Sequence, residues 1–564
     1  MLNFGDRRCR ACGSDSLVKF ISFGKMPAAN GFLRKEELEK EEYMYDMEVG
    51  FCEECKMVQL IEMPPYEKYI VPDALGKTNY AFYSSTSKFM EEHFAEMARE
   101  VEERFLEEGD KVLEIGSNDG IMLKAFRKNR VLGVEPSDNV ADIARALGIE
   151  TISEFFTEEL ADRILSAGGK FKAILSTNVF LNIIEIESGV EGIKKLLDEK
   201  GVFITEDPYI VDVLEKTAYD QIYDEHVWYF SLTSLSNLFE RFGMEIFDAE
   251  RQWVHGGSIR VYTCKKGAYE KTERLRKYLQ EEEEKKIRDI GPYLEFAKRV
   301  EQSRKELIEL LRELKSKGKK IVGYAAASKG TIVQNYCGIG NEILGYISDS
   351  TPFKQGLYTP GKHILIVSPD VFHNDKEVDY ALLSAWNHAK EIMEKEKGFL
   401  GRGGRFIVHL PKPRILERES LGEVEIKELK VFDLGEEGRL FETLRSDDKL
   451  YEGKFGQNLI SEVNPGVIKG LHKHNKQTEY TTCVSGNILY VAVKENKNGV
   501  EIKKFVIGER NPIMIKTPPG IWHGYTPLDG KKALILYTMD RAYNPKDTDT
   551  EEKDVMSFGD VWKI

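Results

Sequence analysis

The stretch KVLEIGSNDG at 111–120 constrains the fold more than any other part of the sequence. It begins with an apolar run as long as a buried parallel strand and ends in a tight loop bounded by Gly116 and Gly120. Glycine at these positions lets the backbone come close to a ligand. Residues 121–128 are predicted to form a helix, and a second apolar strand then ends in an acid, Glu135. This order of elements is typical of a doubly wound nucleotide site, where the acid accepts hydrogen bonds from ribose hydroxyls.

The spacing E-x-G-x-x-x-G in this stretch differs from the dinucleotide fingerprint G-x-G-x-x-G. It resembles the first motif of the methyltransferases that use S-adenosylmethionine (SAM), and the resemblance implies SAM as the cofactor. The candidate cofactor-binding residues are Glu114, Gly116, Asn118, Gly120, Glu135 and, after the next short strand, Phe155. The alternative is a purely structural turn between strand and helix, with Phe155 in the core.

Composition limits both the number of domains and the class of partner. A chain of 564 residues is too long for one hydrophobic core, and we expect about three to five domains. The formal net charge of −14 argues against a general nucleic-acid or anionic-membrane binder. No run of about twenty apolar residues and no signal peptide is present, so we expect a cytoplasmic protein.

Four of the seven cysteines form two C-x-x-C pairs near the N-terminus. Two such pairs supply the four thiolates that a tetrahedral structural zinc ion requires. Redox chemistry is the alternative, but it needs only one pair. The predicted zinc ligands are Cys9, Cys12, Cys52 and Cys55.

Several polar residues are candidates for substrate binding because of where they lie. Ligands bind at the carboxyl ends of parallel strands, and Asn178, Asn182 and Glu206 follow or end two such predicted strands. A turn rich in tyrosine and serine precedes the SAM strand, and it predicts either a sugar pocket or aromatic packing. The candidates there are Tyr80 and Tyr83, and a later one is His255, which begins the glycine-containing stretch HGGSIR.

The stretch DQIYDEHVWYFS at 220–231 is the most informative for catalysis. It places Tyr223, Glu225 and His226 within four residues. An imidazole beside a carboxylate can be held in one tautomer and can act as a base near neutral pH. The alternative is a histidine whose hydrogen bonds are only structural.

Together, the C-x-x-C module, the SAM strand, DQIYDEH-x-x-YFS and HGGSIRVY resemble the nucleotide-sugar C-methyltransferases over residues 5–412. That family acts on deoxysugars with a ketone at carbon 4, so the resemblance implies an NDP-4-keto-deoxysugar, dTDP-linked and methylated at carbon 3. The family's proposed base falls on His226, with Tyr223 and Glu225 beside it. Its N-V-x-x-H motif falls on 178–182, where asparagine replaces the histidine. Asn178 is then a second candidate, with Tyr223, for contact with the enolate oxygen.

Two further segments follow. Residues 266–317 are dense in Glu, Lys and Arg and predict a solvated connector helix or helix pair. After them comes a second αβ unit, which in the resembled family is a cofactor-free Rossmann-like domain that helps to hold the nucleotide sugar. Lys329 and Asn387 are candidates for contact with a diphosphate, with structural roles as the alternative.

Beyond 411–413 short β-rich segments at regular spacing predict a sandwich or barrel. The spacing G-(x)5-H-x-H-(x)4-E-(x)6-G, with P-x-G-x-x-H after it, is that of a cupin. H-x-H places two imidazoles on one face of a strand. With a carboxylate and a third imidazole they form a candidate site for a divalent metal ion. Its ligands are His472, His474, Glu479 and His523.

The same segment also resembles the metal-free sugar-nucleotide 3,5-epimerases, through VIKGLH, PGIWHGY and YTMDRAYNP. This resemblance implies that His472 is the catalytic histidine. It also implies that the pocket contains Lys469, in place of a phosphate-binding arginine, together with His523, Tyr537 and Tyr543. The partner aspartate of that family has no counterpart in this sequence. A 3,4-ketoisomerase, a metal-binding cupin and a non-catalytic sugar-binding or dimerisation module are the alternatives.

The sequence therefore predicts a bifunctional enzyme of deoxysugar biosynthesis, which methylates a 4-keto sugar and epimerises the same sugar class. The expected fold is multidomain, with a zinc module, an α/β Rossmann-like methyltransferase domain, a second Rossmann-like domain and an all-β cupin (jelly-roll) domain. We also expect a homodimer through the cupin domain. The predicted boundaries are 1–75 for the zinc module, 76–265 for the methyltransferase domain, 266–317 for the connector, 318–413 for the second Rossmann-like domain and 424–564 for the cupin.

Overall fold

A computed structural model divides the chain into two compact units, Met1–Leu416 and Glu417–Ile564. Among the residues that the structure describes, no helix is long and apolar enough to cross a membrane. The described residues are 8–65, 71–72, 78–79, 83–86, 88–252, 254–416, 425–433, 439–446, 448, 450–496, 499–509, 511–542, 544 and 549–562.

The first unit begins with a small antiparallel sheet around the cysteine pairs. Three of its strands belong to the N-terminal segment, and the fourth, Trp228–Tyr229, comes from much later in the chain. The zinc module therefore shares its sheet with the methyltransferase domain. The N-terminal strands are β1 (Leu17–Pro27), β2 (Met44–Cys52) and β3 (Val58–Leu60).

A mixed sheet of seven strands, counted over the described residues, forms the centre of the methyltransferase domain. Its order is β12-β13-β10-β9-β6-β7-β8; β10 to β8 pair in parallel, and β12 and β13 are antiparallel. This arrangement confirms the predicted α/β fold. Between β3 and β13 the strands are β4 (Val71–Pro72), β5 (Thr78–Asn79), β6 (Lys111–Ile115), β7 (Arg130–Val134), β8 (Thr151–Ile152), β9 (Phe171–Thr177), β10 (Leu197–Pro208), β11 (Trp228–Tyr229), β12 (Met244–Gln252) and β13 (Ser258–Lys265). The helices are α1 (Lys88–Phe105), α2 (Asp138–Ala146), α3 (Glu158–Gly168), α4 (Ile186–Leu196), α5 (Ile210–Lys216) and α6 (Leu232–Arg241).

The helix predicted at 121–128 is wrong. The structure has only one short 3-10 turn there, Leu123–Ala125. A helix of about two turns has little stability of its own, and here the packing of Met122, Leu123 and Phe126 in the core decides the local conformation.

The segment predicted as a solvated connector contains two helices, α7 (Glu273–Glu284) and α8 (Gly291–Ser316). The longer helix buries one face in the main core of the unit, because its apolar residues recur at the spacing of an amphipathic helix. The predicted helix pair is present, but α8 packs in the core, so the prediction of a solvated connector is wrong for this helix. The buried residues are Tyr293, Phe296, Val300, Ser303, Leu307, Leu311 and Leu314.

The second Rossmann-like domain contains a sheet in the order β16-β15-β14-β17-β18-β19, parallel except for β19. Its strands are β14 (Ile321–Tyr324), β15 (Leu344–Ser348), β16 (Ile366–Val367), β17 (Tyr380–Leu383), β18 (Arg405–Val408) and β19 (Arg414–Leu416). Its helices are α9 (Ser328–Cys337), α10 (Pro369–Asn374), α11 (Ala389–Lys395) and α12 (Lys397–Gly401).

The second unit contains two five-stranded antiparallel sheets within its described residues, as the all-β prediction requires. One has the order β20-β28-β25-β30-β23 and the other β27-β26-β29-β24-β31, with a separate hairpin of β21 and β22. The strands are β20 (Glu425–Glu428), β21 (Lys430–Asp433), β22 (Arg439–Glu442), β23 (Gln457–Val463), β24 (Lys469–His474), β25 (Glu479–Ser485), β26 (Asn487–Asn496), β27 (Gly499–Gly508), β28 (Ile513–Thr517), β29 (Trp522–Pro527), β30 (Ala533–Met539) and β31 (Thr550–Glu552).

Candidate active sites

The four predicted zinc ligands converge on one point. Their sulfur atoms all lie within 4.8 Å of one another, and none forms a disulfide. Cys9 Sγ lies 3.6 Å from Cys55 Sγ, and Cys12 Sγ lies 3.7 Å from Cys52 Sγ. A tetrahedral zinc ion with Zn–S bonds of about 2.3 Å would hold its sulfurs about 3.8 Å apart. The four thiols therefore fit a structural zinc ion.

The loop after β6 is shaped for close contact with a ligand. Gly116 and Gly120 have φ angles of +74° and +78°, in the region that favours glycine. A Cβ atom on Gly116 would lie 2.3 Å from Cγ2 of Val179, so no larger residue fits there without displacement. The loop backbone therefore packs directly on the segment that follows β9.

Glu135 holds this loop in place through its carboxylate. One oxygen accepts from the amide of Asn118 at 3.0 Å, and the other accepts from the amide of Ser137 at 2.9 Å. Burial, together with the nearby Glu135 and Asp119, raises the pKa of Glu114 well above its ordinary value. Three buried polar atoms around the loop have no partner within the described protein, which fits a polar ligand such as SAM. They are Glu114 Oε2, Ser117 Oγ and Asp119 Oδ1.

The tyrosine- and serine-rich turn lies against the same loop. The amide of Ser84 donates to Asn118 Oδ1 at 3.1 Å, and the hydroxyl of Tyr83 accepts from Asn139 Nδ2 at 2.8 Å. Tyr80 lies outside the described residues. Phe155, after β8, is 44% exposed, so it is not the core residue of the alternative interpretation.

Asn178 and Asn182, which follow β9, differ in their hydrogen bonds from Glu206 on the neighbouring strand β10. Asn182 donates to the carbonyl of Asn178 at 3.2 Å, while its buried Oδ1 has no partner among the residues that the structure describes. Glu206 instead accepts from Arg260 Nε at 2.8 Å and lies 2.6 Å from His93 Nε2. Its carboxylate is fully buried in these contacts, so the prediction of Glu206 as a ligand-binding residue is wrong.

The hydrogen bonds of His226 define its tautomer. Nδ1 lies 3.0 Å from the carbonyl oxygen of Gln221, and a carbonyl can only accept, so Nδ1 carries the proton. Nε2 is therefore the basic nitrogen, and the hydroxyl of Tyr223 donates to it at 2.6 Å. Burial raises the pKa of Tyr223 well above its ordinary value, which keeps this phenol protonated. The pair forms a buried base with a proton donor beside it.

The two acids next to this pair are bound by the zinc module. Asn30 Nδ2 donates to Glu225 Oε1 at 2.6 Å, and the amide of Ala29 donates to Asp224 Oδ1 at 2.9 Å. Burial, and then the nearby Glu225, raises the pKa of Asp224 to about 7. Sequence reasoning missed Asn30. The available signal was its position in ISFGKMPAANGFL at 21–33, between the two C-x-x-C pairs.

The segment 178–183 connects the SAM loop with the His226 segment. Val179 lies against Gly116, as described above. The carbonyl of Leu181 accepts from the amide of Val227 at 3.2 Å, and the carbonyl of Ile183 accepts from Trp228 Nε1 at 2.7 Å. The segment therefore contacts both the predicted cofactor-binding loop and the predicted catalytic stretch.

The second Rossmann-like domain contacts the start of the catalytic stretch. Trp386 Nε1 donates to Asp220 Oδ2 at 2.7 Å, and Lys329 Nζ lies 5.6 Å from the centre of the Trp386 ring. Asn387 is half-buried in the same turn. Lys329 therefore lies near the predicted active site, and its contact with a diphosphate stays a prediction. The side chain of His255 lies outside the described part of the chain.

The second unit brings the four predicted cupin ligands together. Their ligand atoms lie within 4.8 Å of one another, on β24, β25 and β29. His523 donates from Nδ1 to the carbonyl of Ile521 at 3.0 Å, and its Nε2 lies 3.7 Å from Glu479 Oε1. Among the described residues, this buried nitrogen has no hydrogen-bond partner. The other members are His472, His474 and Glu479.

Two of the residues implied by the epimerase resemblance, His472 and His523, belong to this cluster. Burial, and then the nearby His523, lowers the pKa of His472 to about 3, so its imidazole is neutral at pH 7. The hydroxyl of Tyr537 contacts that of Tyr525. Lys469 Nζ donates to Ser461 Oγ at 2.6 Å. Tyr543 lies outside the described residues.

Comparison with known proteins decides the family of the larger unit. The C-methyltransferase NovU of Streptomyces niveus is 37% identical over 416 residues, which cover 73% of this chain and 97% of NovU. The chain belongs to the C-methyltransferase family. The present chain matches three family models. They describe a zinc binding domain at 9–79, a methyltransferase domain at 89–249 and a C-methyltransferase C-terminal domain at 253–411. The matched methyltransferase domain implies SAM as the cofactor.

The C-terminal part of this C-methyltransferase matches a second family. Residues 422–560 match the model for dTDP-4-dehydrorhamnose 3,5-epimerase. The spore coat polysaccharide biosynthesis protein SpsL of Bacillus subtilis (strain 168) is 35% identical over 115 residues, which cover 20% of this chain and 76% of SpsL. A dTDP-4-dehydrorhamnose 3,5-epimerase structure from Elizabethkingia anophelis NUHP1 is 25% identical, covers 26% of this chain and 86% of that one, and has a TM-score of 0.23. The prediction of a methyltransferase fused to an epimerase-family domain is confirmed.

Proposed function

We propose that this enzyme transfers a methyl group from SAM to carbon 3 of an NDP-4-keto-deoxysugar, with dTDP as the nucleotide. The observation that carries the proposal is the buried pair of Tyr223 and His226, because it supplies a base and a proton donor at one place. The substrate class rests on the epimerase family matched by the second unit, which is named for a dTDP-linked 4-keto sugar.

The chemistry requires a base, because a hydrogen next to a ketone is acidic but leaves only when a base accepts it. His226 Nε2 takes this proton, while the Gln221 carbonyl holds the proton on Nδ1. Tyr223 then turns its hydroxyl hydrogen from Nε2 to the ketone oxygen and stabilises the enolate. SAM, when bound, supplies the electrophilic methyl group. As carbon 3 forms its bond to the methyl carbon, the enolate returns to the ketone, and the cofactor would leave as the thioether with the electron pair of the broken carbon–sulfur bond.

The test is mass spectrometry of dTDP-4-keto-6-deoxyglucose after incubation with SAM and the full chain. Wild-type enzyme should add one methyl group to the sugar. His226→Asn should abolish the transfer while SAM still binds in calorimetry, and His363→Asn, a histidine of the second Rossmann-like domain, should be active. Near-normal turnover by His226→Asn would rule out His226 as the base.

We further propose that the second unit epimerises the same sugar class, with His472 as the base. In support, His472 falls on the catalytic histidine of the epimerase family that this unit matches, and its ring centre lies 4.2 Å from that of His523. Without SAM, the 4-keto sugar in deuterated water should gain deuterium even when His226 is replaced by Asn. The double variant His226→Asn/His472→Asn should lose this exchange. Equal exchange in both variants would exclude His472 as the base.

A metal-binding function of the same unit is the second candidate, and it is favoured by the buried Nε2 of His523, which has no hydrogen-bond partner among the described residues. Three imidazoles and one carboxylate suit a divalent transition-metal ion, which would act as a Lewis acid on the ketone. Full-length, zinc-loaded protein should then bind one Mn²⁺ per chain, seen by electron paramagnetic resonance. Glu479→Gln should lose it, and Glu551→Gln, an exposed acid on β31, should keep it. Equal Mn²⁺ signals from both variants would reject the site.

A further inference from the structure

The zinc module is joined to the catalytic stretch by its own sheet. β3 pairs with β11, so that Gln59 lies opposite Trp228, two residues after His226. Gln59 is completely buried, and its Nε2 donates to Cys9 Sγ at 3.0 Å. One side chain thus contacts a zinc ligand while its backbone pairs with the strand that follows the catalytic histidine.

A second connection is made by the loop after β1. In this loop Ala29 and Asn30 donate to the carboxylates of Asp224 and Glu225, the two residues directly before His226. Asn30 contacts Glu225 at 2.6 Å, and both partners are largely buried. A hydrogen bond to a buried carboxylate is among the stronger ones in proteins. The loop therefore restrains the orientation of the Glu225 side chain.

The same loop also contacts the second Rossmann-like domain. The carbonyl of Ala29 accepts from Thr331 Oγ1 at 2.9 Å, and the amide of Leu33 donates to the carbonyl of Tyr358 at 2.9 Å. Lys354 Nζ lies 5.0 Å from the centre of the Phe32 ring. Residues 29–33 thus lie between the catalytic stretch and the domain predicted to hold the nucleotide sugar.

We propose that the zinc module forms one wall of the methyltransferase active site, with Asn30 as the positioning residue that orients Glu225. The proposal rests on the proposed C-methylation. It differs from a purely stabilising role for the zinc module, in which Asn30 would matter only for packing. Asn30 donates from its amide nitrogen, so the hydrogen bond requires a donor at residue 30 and an acceptor at residue 225.

Two substitutions separate hydrogen bonding from packing. Asn30→Asp keeps the shape but faces Glu225 with a second carboxylate, and Asn30→Ala removes both shape and donor. We expect kcat for methyl transfer to fall about 10- to 100-fold in Asn30→Ala and further in Asn30→Asp. The zinc content and the Kd for SAM should stay within about twofold of wild type. Lys25→Ala, on the exposed face of the same module, should be as active as wild type.

The Glu225→Gln background gives the second measurement, by single-turnover mass spectrometry. There, residue 225 offers an amide donor, so Asn30→Asp restores a hydrogen bond with the roles exchanged. The double variant Asn30→Asp/Glu225→Gln should therefore have the same kcat as Glu225→Gln alone. If the two residues acted independently, the reductions in kcat would combine. The proposal is overturned if Asn30→Asp is more active than Asn30→Ala. It is also overturned if Asn30→Asp reduces kcat by the same factor in the Glu225→Gln background as in wild type. Failure of the wild type to methylate the sugar would instead refute the proposed function.

Discussion

Individual residues of the SAM loop determine how closely the backbone can approach its surroundings. Gly116 has both a positive φ angle and no room for a Cβ atom, because Val179 fills that space. Some other glycines of the same domain have a positive φ angle but room for a Cβ atom. Gly148, for example, has a φ of +83° and nothing within 4 Å of the position of a Cβ atom. A comparison of substitutions at Gly116 and Gly148 therefore separates the effect of backbone strain from that of steric contact.

Gly116→Ala should weaken SAM binding much more than Gly148→Ala. Both changes strain the backbone by about 1 kcal/mol, but only the first displaces the loop through contact with Val179. We expect the Kd for SAM to rise at least about tenfold in Gly116→Ala, which corresponds to about 1.4 kcal/mol. Isothermal titration calorimetry measures it. Equal affinities in the two variants would show that the contact has no consequence.

Asp207 should make the stability of the first unit depend on pH. Burial raises its pKa from 3.8 to about 7, and its buried Oδ1 has no hydrogen-bond partner in the part of the chain that the structure describes. As pH rises through this interval, the unfolded chain ionises while the folded chain keeps the proton, so the free energy of unfolding falls. Asp207→Asn removes this dependence.

In urea unfolding, Asp207→Asn should therefore gain more stability over wild type at a pH of about 8 than at a pH of about 5. Asp46 is an exposed acid of the zinc module. The stability of Asp46→Asn relative to wild type should therefore be nearly the same at both pH values. A constant difference between Asp207→Asn and wild type across this range would contradict the pH argument.

At the scale of elements, strands and helices of the first unit combine across its predicted domains. β11 completes the sheet of the zinc module, and α8 lies in the core shared with it. The turn that contains Trp386 contacts the catalytic stretch through Asp220, which is completely buried. Asp220 Oδ2 lies also 3.1 Å from His409 Nε2. These contacts hold the catalytic stretch from several elements at once.

Trp386→Phe should destabilise the protein by about 1–3 kcal/mol, because it leaves the buried carboxylate of Asp220 with one donor fewer. The control is Trp522→Phe, whose indole donates to Glu495 at 2.9 Å, because that carboxylate is half exposed and water can replace the lost donor. Urea unfolding monitored by circular dichroism compares the two. An equal loss of unfolding free energy in both variants would show that the burial of the accepting carboxylate does not determine the size of the destabilisation.

At the scale of the whole molecule, the second unit leaves an apolar strand edge uncovered. β23 ends its sheet within the described residues, and its Leu459 and Ile460 are 46% and 70% exposed. Exposed apolar edge strands favour pairing with another chain. We propose that this edge contacts a second copy, in line with the predicted homodimer.

Ile460→Asp should then shift the protein from dimer to monomer in light scattering after size-exclusion chromatography. The charge would be buried in the interface and would cost several kcal/mol unless the dimer dissociates. Glu462→Gln on the same strand should stay dimeric. A wild type that is monomeric at all concentrations would refute the proposed contact.

Much of the fold and the identity of the chemical groups follow from local patterns in the sequence. The glycine loop, the C-x-x-C pairs and the H-x-H strand each depend on neighbours only a few residues apart, so their geometry is largely local. The predicted helix at 121–128 is wrong because so short a helix has little stability of its own, so tertiary packing of Met122, Leu123 and Phe126 decides the conformation. The solvated connector was wrong because its charged residues cover only one face of α8.

The sequence by itself determined the order of domains, the cysteine and histidine clusters, and the stretch that contains Tyr223 and His226. Only the tertiary structure decided which partners these groups have. It paired Glu206 with Arg260 and His93, and it brought Asn30 to Glu225 across 195 residues of chain. The physical reason is that such contacts depend on how distant elements pack, and a local pattern contains no information on that packing.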